Sequence, residues 1–181
     1  MKKSIFLLLF FAVIAQSFGQ KYYTKTGILN FEGSVEAFEP VKASNQTTTA
    51  ILDVSTGKIA VLGLVKGFRF RNALMEEHFN ENYMESDKHP KATFNGVVNG
   101  FSLADIDSEK EYTTEGDLTI HGKTKKVTAT ITIMKDGDTI SVKTNFAVTP
   151  ADFDIDIPSV VSEKISDNIN ITADFDLKKR S

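Results

Sequence analysis

The chain has 181 residues, of which 41% are hydrophobic and 25% charged, and it contains no Cys and no Trp. The lack of Cys excludes disulfides, thiolate metal sites and a cysteine nucleophile. The formal net charge of −3, without a basic stripe, argues against nucleic acid as a partner.

Residues 1–19 have the pattern of a secretory signal peptide. Two lysines precede the apolar run 5–14, and the small residues Ser17 and Gly19 lie three residues and one residue before a cleavage point. The run is shorter than the ~20 apolar residues that span a bilayer, so the protein is not expected to be membrane-spanning. The mature part, 20–181, is therefore predicted to be a single periplasmic or secreted domain, carrying a net charge of about −5 after the loss of two lysines from 21 basic against 24 acidic residues.

Alternation of apolar and polar residues with a period of two dominates the mature chain and predicts β-strands with one buried face. Asp136-Gly137 and His121-Gly122 have the composition of tight hairpin turns. The predicted strands cover approximately residues 28–36, 46–54, 58–65, 91–98, 113–120, 127–133, 140–148 and 169–177.

One helix is predicted to interrupt the strands, over residues 73–84. Asn72 is a good N-cap, and Glu76 places negative charge near the helix start, where the helix dipole favours it. The apolar face of this helix is predicted to lie on the strands, since a three-turn helix needs such packing. That face holds Leu74, Met75, His78, Phe79 and Tyr83.

Many antiparallel strands joined by short turns must close into a barrel or stack as a sandwich to protect their edges. Strand spacing alone does not separate these two architectures. An eight-stranded barrel is just wide enough to be filled by its own side chains or to hold one small ligand.

Two segments resemble the signature segments of the YceI-like family: Lys-His-Pro-Lys-Ala-Thr-Phe at 88–94, and Glu-Gly-Asp-Leu-Thr-Ile-His-Gly-Lys-Thr-Lys at 115–125. The predicted helix also falls where that family has one. The resemblance implies an exported, lipocalin-like β-barrel with an elongated apolar cavity for polyisoprenoid or similar long-chain amphiphiles. It therefore favours a mainly β fold, a closed antiparallel eight-stranded barrel with one short amphipathic helix. One departure is Lys25-Thr26-Gly27-Ile28, where the family often has a His-Ser pair.

The presumed inward positions mix large residues with small ones such as Gly96, Gly116 and Ala129, which leave space for a ligand or for larger neighbours. Head-group candidates at the mouth are Arg69, Arg71 and His78, although the arginines also fit an edge whose charges discourage aggregation. The candidates for a lipid pocket are Phe68, Phe70, Met75, Phe79, Phe94, Leu118, Ile131, Phe146 and Phe175.

Metal and calcium sites are not predicted. None of His78, His89 and His121 has a second ligand at a recognised zinc spacing. The aspartates of 152–156 resemble half a calcium loop, but Ile157 replaces the required glycine. The segment is therefore predicted to be a further amphipathic strand.

No catalytic residue is predicted, because the chain has neither a Gly-x-Ser-x-Gly elbow nor a phosphate-binding glycine loop. The first hypothesis is thus a carrier of a long apolar chain, such as a polyisoprenoid or isoprenoid quinone, with no cofactor besides this lipid. The alternatives are a structural or interaction protein with a filled core, and a small hydrolase or isomerase that uses His78 or His121 as base. The sequence leaves open the identity of the ligand and whether the barrel forms a homodimer.

Overall fold

A computed structural model describes residues 20–180, so the predicted signal peptide lies outside the described residues. In chain order the elements are β1 (Lys21–Ser34), β2 (Lys42–Asp53), β3 (Lys58–Leu64), β4 (Arg69–Phe70), α1 (Ala73–His78), β5 (Lys91–Val98), β6 (Lys110–Ile120), β7 (Lys123–Asp136), β8 (Thr139–Val148), α2 (Ser159–Ser162) and β9 (Ile165–Lys179). A π-helical turn, Phe79–Tyr83, continues α1 without a break.

Eight strands form one closed antiparallel barrel. The strand order is β1-β9-β8-β7-β6-β5-β3-β2, and β2 pairs with β1 to complete the circle. Tyr22 of β1 lies opposite Leu52 of β2 on one side and Lys179 of β9 on the other. The two-residue β4 pairs with the start of β2 at one rim. The predicted barrel with one short helix is confirmed, and the sandwich is excluded by this closure.

The two ends of the barrel differ in what covers them. The connections 54–57, 99–109 and 137–138 lie at one end, which we call the base. The connections 35–41, 65–90, 121–122 and 149–164 lie at the opposite end, which we call the mouth, and include both helices.

A packed core fills the base. Ile106, from the long connection between β5 and β6, is fully buried and accepts a backbone hydrogen bond of 2.6 Å from the N–H of Lys135. Its carbonyl is thereby satisfied in an apolar surrounding, as a buried carbonyl requires. Buried side chains therefore close the barrel at its base. The other buried residues at this end are Tyr22, Leu52, Ile59, Val98, Tyr112, Ile133, Ile140 and Leu177.

The predicted hairpins are confirmed. His121 and Gly122 alone connect β6 to β7, with φ of +51° and +72°. Positive φ at both central residues defines a type I′ turn, whose twist matches that of the flanking strands. Gly137, with φ of +57°, opens the equally short connection between β7 and β8.

Two local predictions were wrong. Residues 153–157 do not form a strand: Phe153 ends a 3₁₀ turn, Pro150–Phe153, Asp154 has a φ of +55°, and residues 155–157 are irregular. Pro150 and Pro158 bracket the segment and have no N–H to donate to a ladder. Leu74 was expected on the apolar face of the helix but is 57% exposed, because Met75 of α1 and Phe79 of the following π-helical turn are the residues that face the cavity.

Candidate functional site

An apolar cavity of about 370 Å³ lies between the filled base and the mouth. Ile59, Ile131, Val142 and Phe175 form its floor and also belong to the buried core below. Side chains nearer the mouth, such as Phe146, point inward but are only half-buried, because they border this space. The upper wall comprises Val127, Phe146, Val148, Ile165, Ile169 and Ile171.

Small inward residues shape the cavity, and large neighbours cover only some of them. A Cβ placed on Gly96 or Gly116 would lie 2.5 or 2.7 Å from the Phe94 ring, so this ring occupies the space that both glycines leave. Ala129 and Ala173 line the cavity. The space in the upper barrel therefore persists where alanines face inward, whereas the glycine positions are filled by an aromatic ring.

Four phenylalanine rings close the mouth beneath α1. Phe79 stacks on Phe31 at a centroid distance of 5.2 Å and packs against Phe68 at 5.8 Å and Phe70 at 5.1 Å. Offset and edge-to-face aromatic pairs each contribute ~0.5–1.5 kcal/mol beyond their area burial. We call Phe31, Phe68, Phe70 and Phe79 the lid cluster, since it holds α1 and the following π-helical turn over the cavity.

Polar contacts fix the start of α1. The Asn72 side chain accepts hydrogen bonds from the backbone N–H groups of Leu74 at 2.9 Å and Met75 at 3.4 Å, as the sequence predicted. Glu76 accepts from Arg69 Nη1 at 2.9 Å and from the Phe70 N–H at 3.1 Å. The helix is thereby bound to the segment that carries two lid-cluster phenylalanines.

Two threonines that line the cavity already have hydrogen-bond partners in the barrel wall. The Thr114 hydroxyl donates to the Val97 carbonyl at 3.1 Å, and the Thr144 hydroxyl donates to the Thr130 carbonyl at 2.7 Å. A satisfied hydroxyl requires no further hydrogen bond from a ligand. The middle of the cavity consequently favours an occupant without polar groups.

All nine residues predicted for the lipid pocket line this cavity, and their contact with a ligand stays a prediction. Of the head-group candidates, His78 lines the mouth of the cavity and is exposed. Arg69 and Arg71 instead line a second, more open pocket of about 430 Å³ beside β4 and the start of β2. The Arg69 guanidinium is further engaged by Glu76 and by the carbonyls of Lys66 and Phe68.

Sequence reasoning missed two residues at the mouth. Phe31 belongs to the lid cluster. The sequence could have indicated its inward position, because Leu29, Phe31 and Gly33 alternate with polar residues in β1. Lys164 lines the cavity from the connection between β8 and β9, and no local pattern singled it out. Its ammonium lies 6.0 Å from the centroid of the Phe38 ring, within the range of a cation–π contact.

A separate polar cluster, Glu85, His89 and His121, lies on the rim of the mouth. His121 Nε2 is 3.2 Å from Glu85 Oε2, and the His89 and His121 rings stack edge to face at 4.7 Å. The Lys88 ammonium bonds the other Glu85 oxygen. These hydrogen bonds, that of Lys88 first and that of His121 second, hold the pKa of the Glu85 carboxyl below its ordinary value. We call these three residues the rim cluster.

The fold and the cavity together define a closed antiparallel barrel with an apolar interior that is reached from one end. The family model of the YceI-like domain matches residues 15–177 of the sequence, so the chain belongs to that family. No curated protein matches the chain significantly.

Solved structures of distant relatives share this fold. A polyisoprenoid binding domain from Saccharophagus degradans, implicated in plant cell wall breakdown, superimposes with a TM-score of 0.76 at 12% identity, covering 88% of this chain and 98% of that one. BcnA of Burkholderia cenocepacia gives 0.68 at 17% identity over 83% and 94%. The Campylobacter jejuni YCEI protein gives 0.63 at 18% identity over 80% and 87%. Such low identities establish the common barrel and nothing finer.

Within residues 20–180, the helices are all too short or too polar to cross a membrane.

Proposed function

We propose that this protein binds one long apolar chain, a polyisoprenoid, an isoprenoid quinone or a similar lipid, inside its barrel. The observation that carries the proposal is the cavity of about 370 Å³, whose wall is almost wholly apolar. Its volume lies at the lower end of the ~300–1,000 Å³ of small-molecule sites. The polyisoprenoid binding domain of Saccharophagus degradans, which has the same fold, supports this class of ligand.

Hydrophobic burial supplies the affinity in this proposal. Each buried methylene contributes ~0.8 kcal/mol, so a dozen give ~10 kcal/mol before the cost of association, which is ~4–15 kcal/mol. A chain that only partly fills the cavity would therefore bind weakly. Because Phe175 and its neighbours close the floor, the tail enters first and the head group stays at the mouth.

A polar or anionic head group would meet two side chains at the mouth. Lys164 and His78 line that end of the cavity, and both are exposed. Lys164 is a cation without a salt-bridge partner among the described residues. We therefore place an anionic head group beside Lys164 rather than beside Arg69, whose charge is already paired with Glu76.

The geometry favours binding over catalysis. An enzyme that uses His121 would need this histidine and a carboxylate within the pocket. His121 does lie beside Glu85, but neither residue lines the cavity. His78 does line it, but has no carboxylate partner among the described residues. A filled core, the other alternative, would leave no cavity of this size. We propose export to the periplasm or the medium on the basis of the pattern in residues 1–19.

Blocking the cavity tests the proposal with a matched pair of substitutions. Ala129 lines the cavity, whereas Ala147 on β8 is exposed on the outer face. Ala129→Phe should abolish or sharply weaken uptake of an isoprenoid quinone, since the new ring occupies the ligand's path. Ala147→Phe should bind the quinone like the parent protein.

Fluorescence titration with the quinone and with a prenyl phosphate, together with native mass spectrometry of the gently purified protein, provides the measurement. We expect a co-purifying lipid, and we expect its loss in Ala129→Phe. The proposal would be wrong if the parent protein bound neither probe and was empty in every preparation. It would also be wrong if Ala129→Phe, with an unchanged circular dichroism spectrum, bound both probes as the parent does.

A further inference from the structure

The rim cluster brings together three side chains that are distant in sequence. Glu85 and His89 belong to the segment between the π-helical turn and β5, and His121 begins the turn between β6 and β7. One potential ligand atom from each residue lies within 4.8 Å of the other two. All three residues are half-buried. The sequence spacing gave no reason to expect such a group, because strand pairing creates it.

The two polar atoms beside the His121 ring nitrogens are both hydrogen-bond acceptors. Nδ1 of this ring lies 3.2 Å from the Phe153 carbonyl oxygen, and its Nε2 lies 3.2 Å from Glu85 Oε2. A neutral imidazole has only one N–H, so it can donate to only one of these two oxygens. When Nδ1–H donates to Phe153, the Nε2 lone pair and Glu85 Oε2 are both free to bind one metal ion.

The distance between His121 and Glu85 fits a shared metal ion. Zn²⁺ binds histidine nitrogen at ~2.0–2.1 Å and carboxylate oxygen at ~2.0–2.2 Å, so adjacent ligands of a tetrahedral site lie about 3.3 Å apart. The observed separation of 3.2 Å between His121 Nε2 and Glu85 Oε2 matches this value. A ligating histidine also typically donates its other N–H to a backbone carbonyl, and the Phe153 carbonyl oxygen lies 3.2 Å from His121 Nδ1, where it can accept one.

We propose that Glu85, His89 and His121 form a binding site for a divalent transition-metal cation of the Zn²⁺ type, with a fourth position open to solvent. Imidazole ligands favour Zn²⁺, Cu²⁺ and Ni²⁺ over Mg²⁺ and Ca²⁺, which prefer oxygen. This site is independent of the lipid cavity and of the function proposed for it.

A bound ion would tie the lid to the barrel. Glu85 directly follows Met84, and His121 directly follows Ile120; both of these apolar residues line the cavity. Through Phe153, His121 also joins the connection between β8 and β9. The ion would thus link three separate segments of the mouth through one centre.

One neighbouring charge opposes metal binding. The Lys88 ammonium bonds the second oxygen of Glu85, but Lys88 is exposed, so water screens its charge. Removal of this ammonium should strengthen metal binding, because the carboxylate then has no competing cation.

The test is calorimetric titration of the untagged, chelator-treated full chain with ZnCl₂, and with MgCl₂ as the comparison salt. Visible absorption with CoCl₂ reports the coordination geometry. We expect one saturable Zn²⁺ site per chain and Co²⁺ bands of a four-coordinate site. His89→Gln and His121→Asn should each weaken Zn²⁺ binding by at least about tenfold. Asn suits the positive φ of position 121, so this variant keeps its turn.

Two further variants make the result specific. His78→Gln removes an exposed histidine at the same end of the barrel and should leave the Zn²⁺ affinity unchanged. Lys88→Met should bind Zn²⁺ more tightly than the parent. The site is refuted if the parent shows no saturable Zn²⁺ binding. It is equally refuted if His78→Gln weakens binding as much as His121→Asn, or if Lys88→Met does not strengthen it.

Discussion

The lid cluster makes a quantitative prediction for Phe79→Ala. Truncation of a fully buried Phe to Ala costs ~3–5 kcal/mol. Phe79 is half-buried but loses three ring contacts, with Phe31, Phe68 and Phe70, so we expect roughly half of this cost, about 2 kcal/mol. If this loss falls on the contact between lid and barrel, the open population of the lid rises by about 30-fold. Release of a bound apolar chain should accelerate by up to the same factor.

Leu74→Ala is the matched control for this prediction. Leu74 is on the same helix but is 57% exposed, so its truncation should change the free energy of unfolding by no more than ~0.5 kcal/mol. Urea denaturation gives the loss of stability, hydrogen exchange of residues 73–84 gives lid opening, and stopped-flow displacement of a bound quinone gives the release rate. Equal effects of Phe79→Ala and Leu74→Ala on lid exchange would refute the assignment of the lid cluster.

Two further predictions concern a turn and a half-buried carboxylate. Gly122→Ala should destabilise the protein more than Gly137→Ala in urea denaturation. Both glycines have positive φ, but a Cβ on Gly122 would lie 2.7 Å from the His89 ring, whereas a Cβ on Gly137 would meet open space. Equal losses of unfolding free energy would contradict this packing. The Ser55 hydroxyl, donating at 2.5 Å, is the largest cause of the lowered pKa of Asp53. The lowered pKa stabilises the fold above the ordinary value near 3.8, and this stability is lost as the pH falls through the folded-state pKa. Ser55→Ala should therefore raise the pKa of Asp53 in an NMR titration, and an unchanged midpoint would contradict it.

Strand alternation predicted the barrel well where one face is apolar and the other polar. The strands β7, β8 and β9 were identified for this reason. The first half of β1 was missed, because Tyr22 is buried, its neighbour Tyr23 is 37% exposed, and the buried Thr24 is polar. Residues 153–157 show the opposite error. Phe153, Ile155 and Ile157 do line the cavity, but they do so from irregular backbone.

The same distinction decides which residues of the candidate site could be predicted from the sequence. Period-two alternation tells which side chains face the interior, so the wall residues Phe94, Leu118 and Phe146 were accessible to sequence reasoning. The approach of His89 to His121 was not, because it depends on the pairing of β5 with β6 and on a two-residue turn. Likewise, the pairing of Arg69 with Glu76 depends on how α1 lies against β4.

The pairing of β1 with β9 joins the two extremities of the domain, with Tyr22 beside Lys179. Such contacts have the largest sequence separation in the chain, and folding slows as this separation grows. Until the final strand has been synthesised and has docked, β1 presents an unpaired edge that can recruit another chain. Deleting β9 should thus yield an aggregating product rather than a smaller barrel, and any chaperone that assists the nascent protein would have to shield its first strand longest.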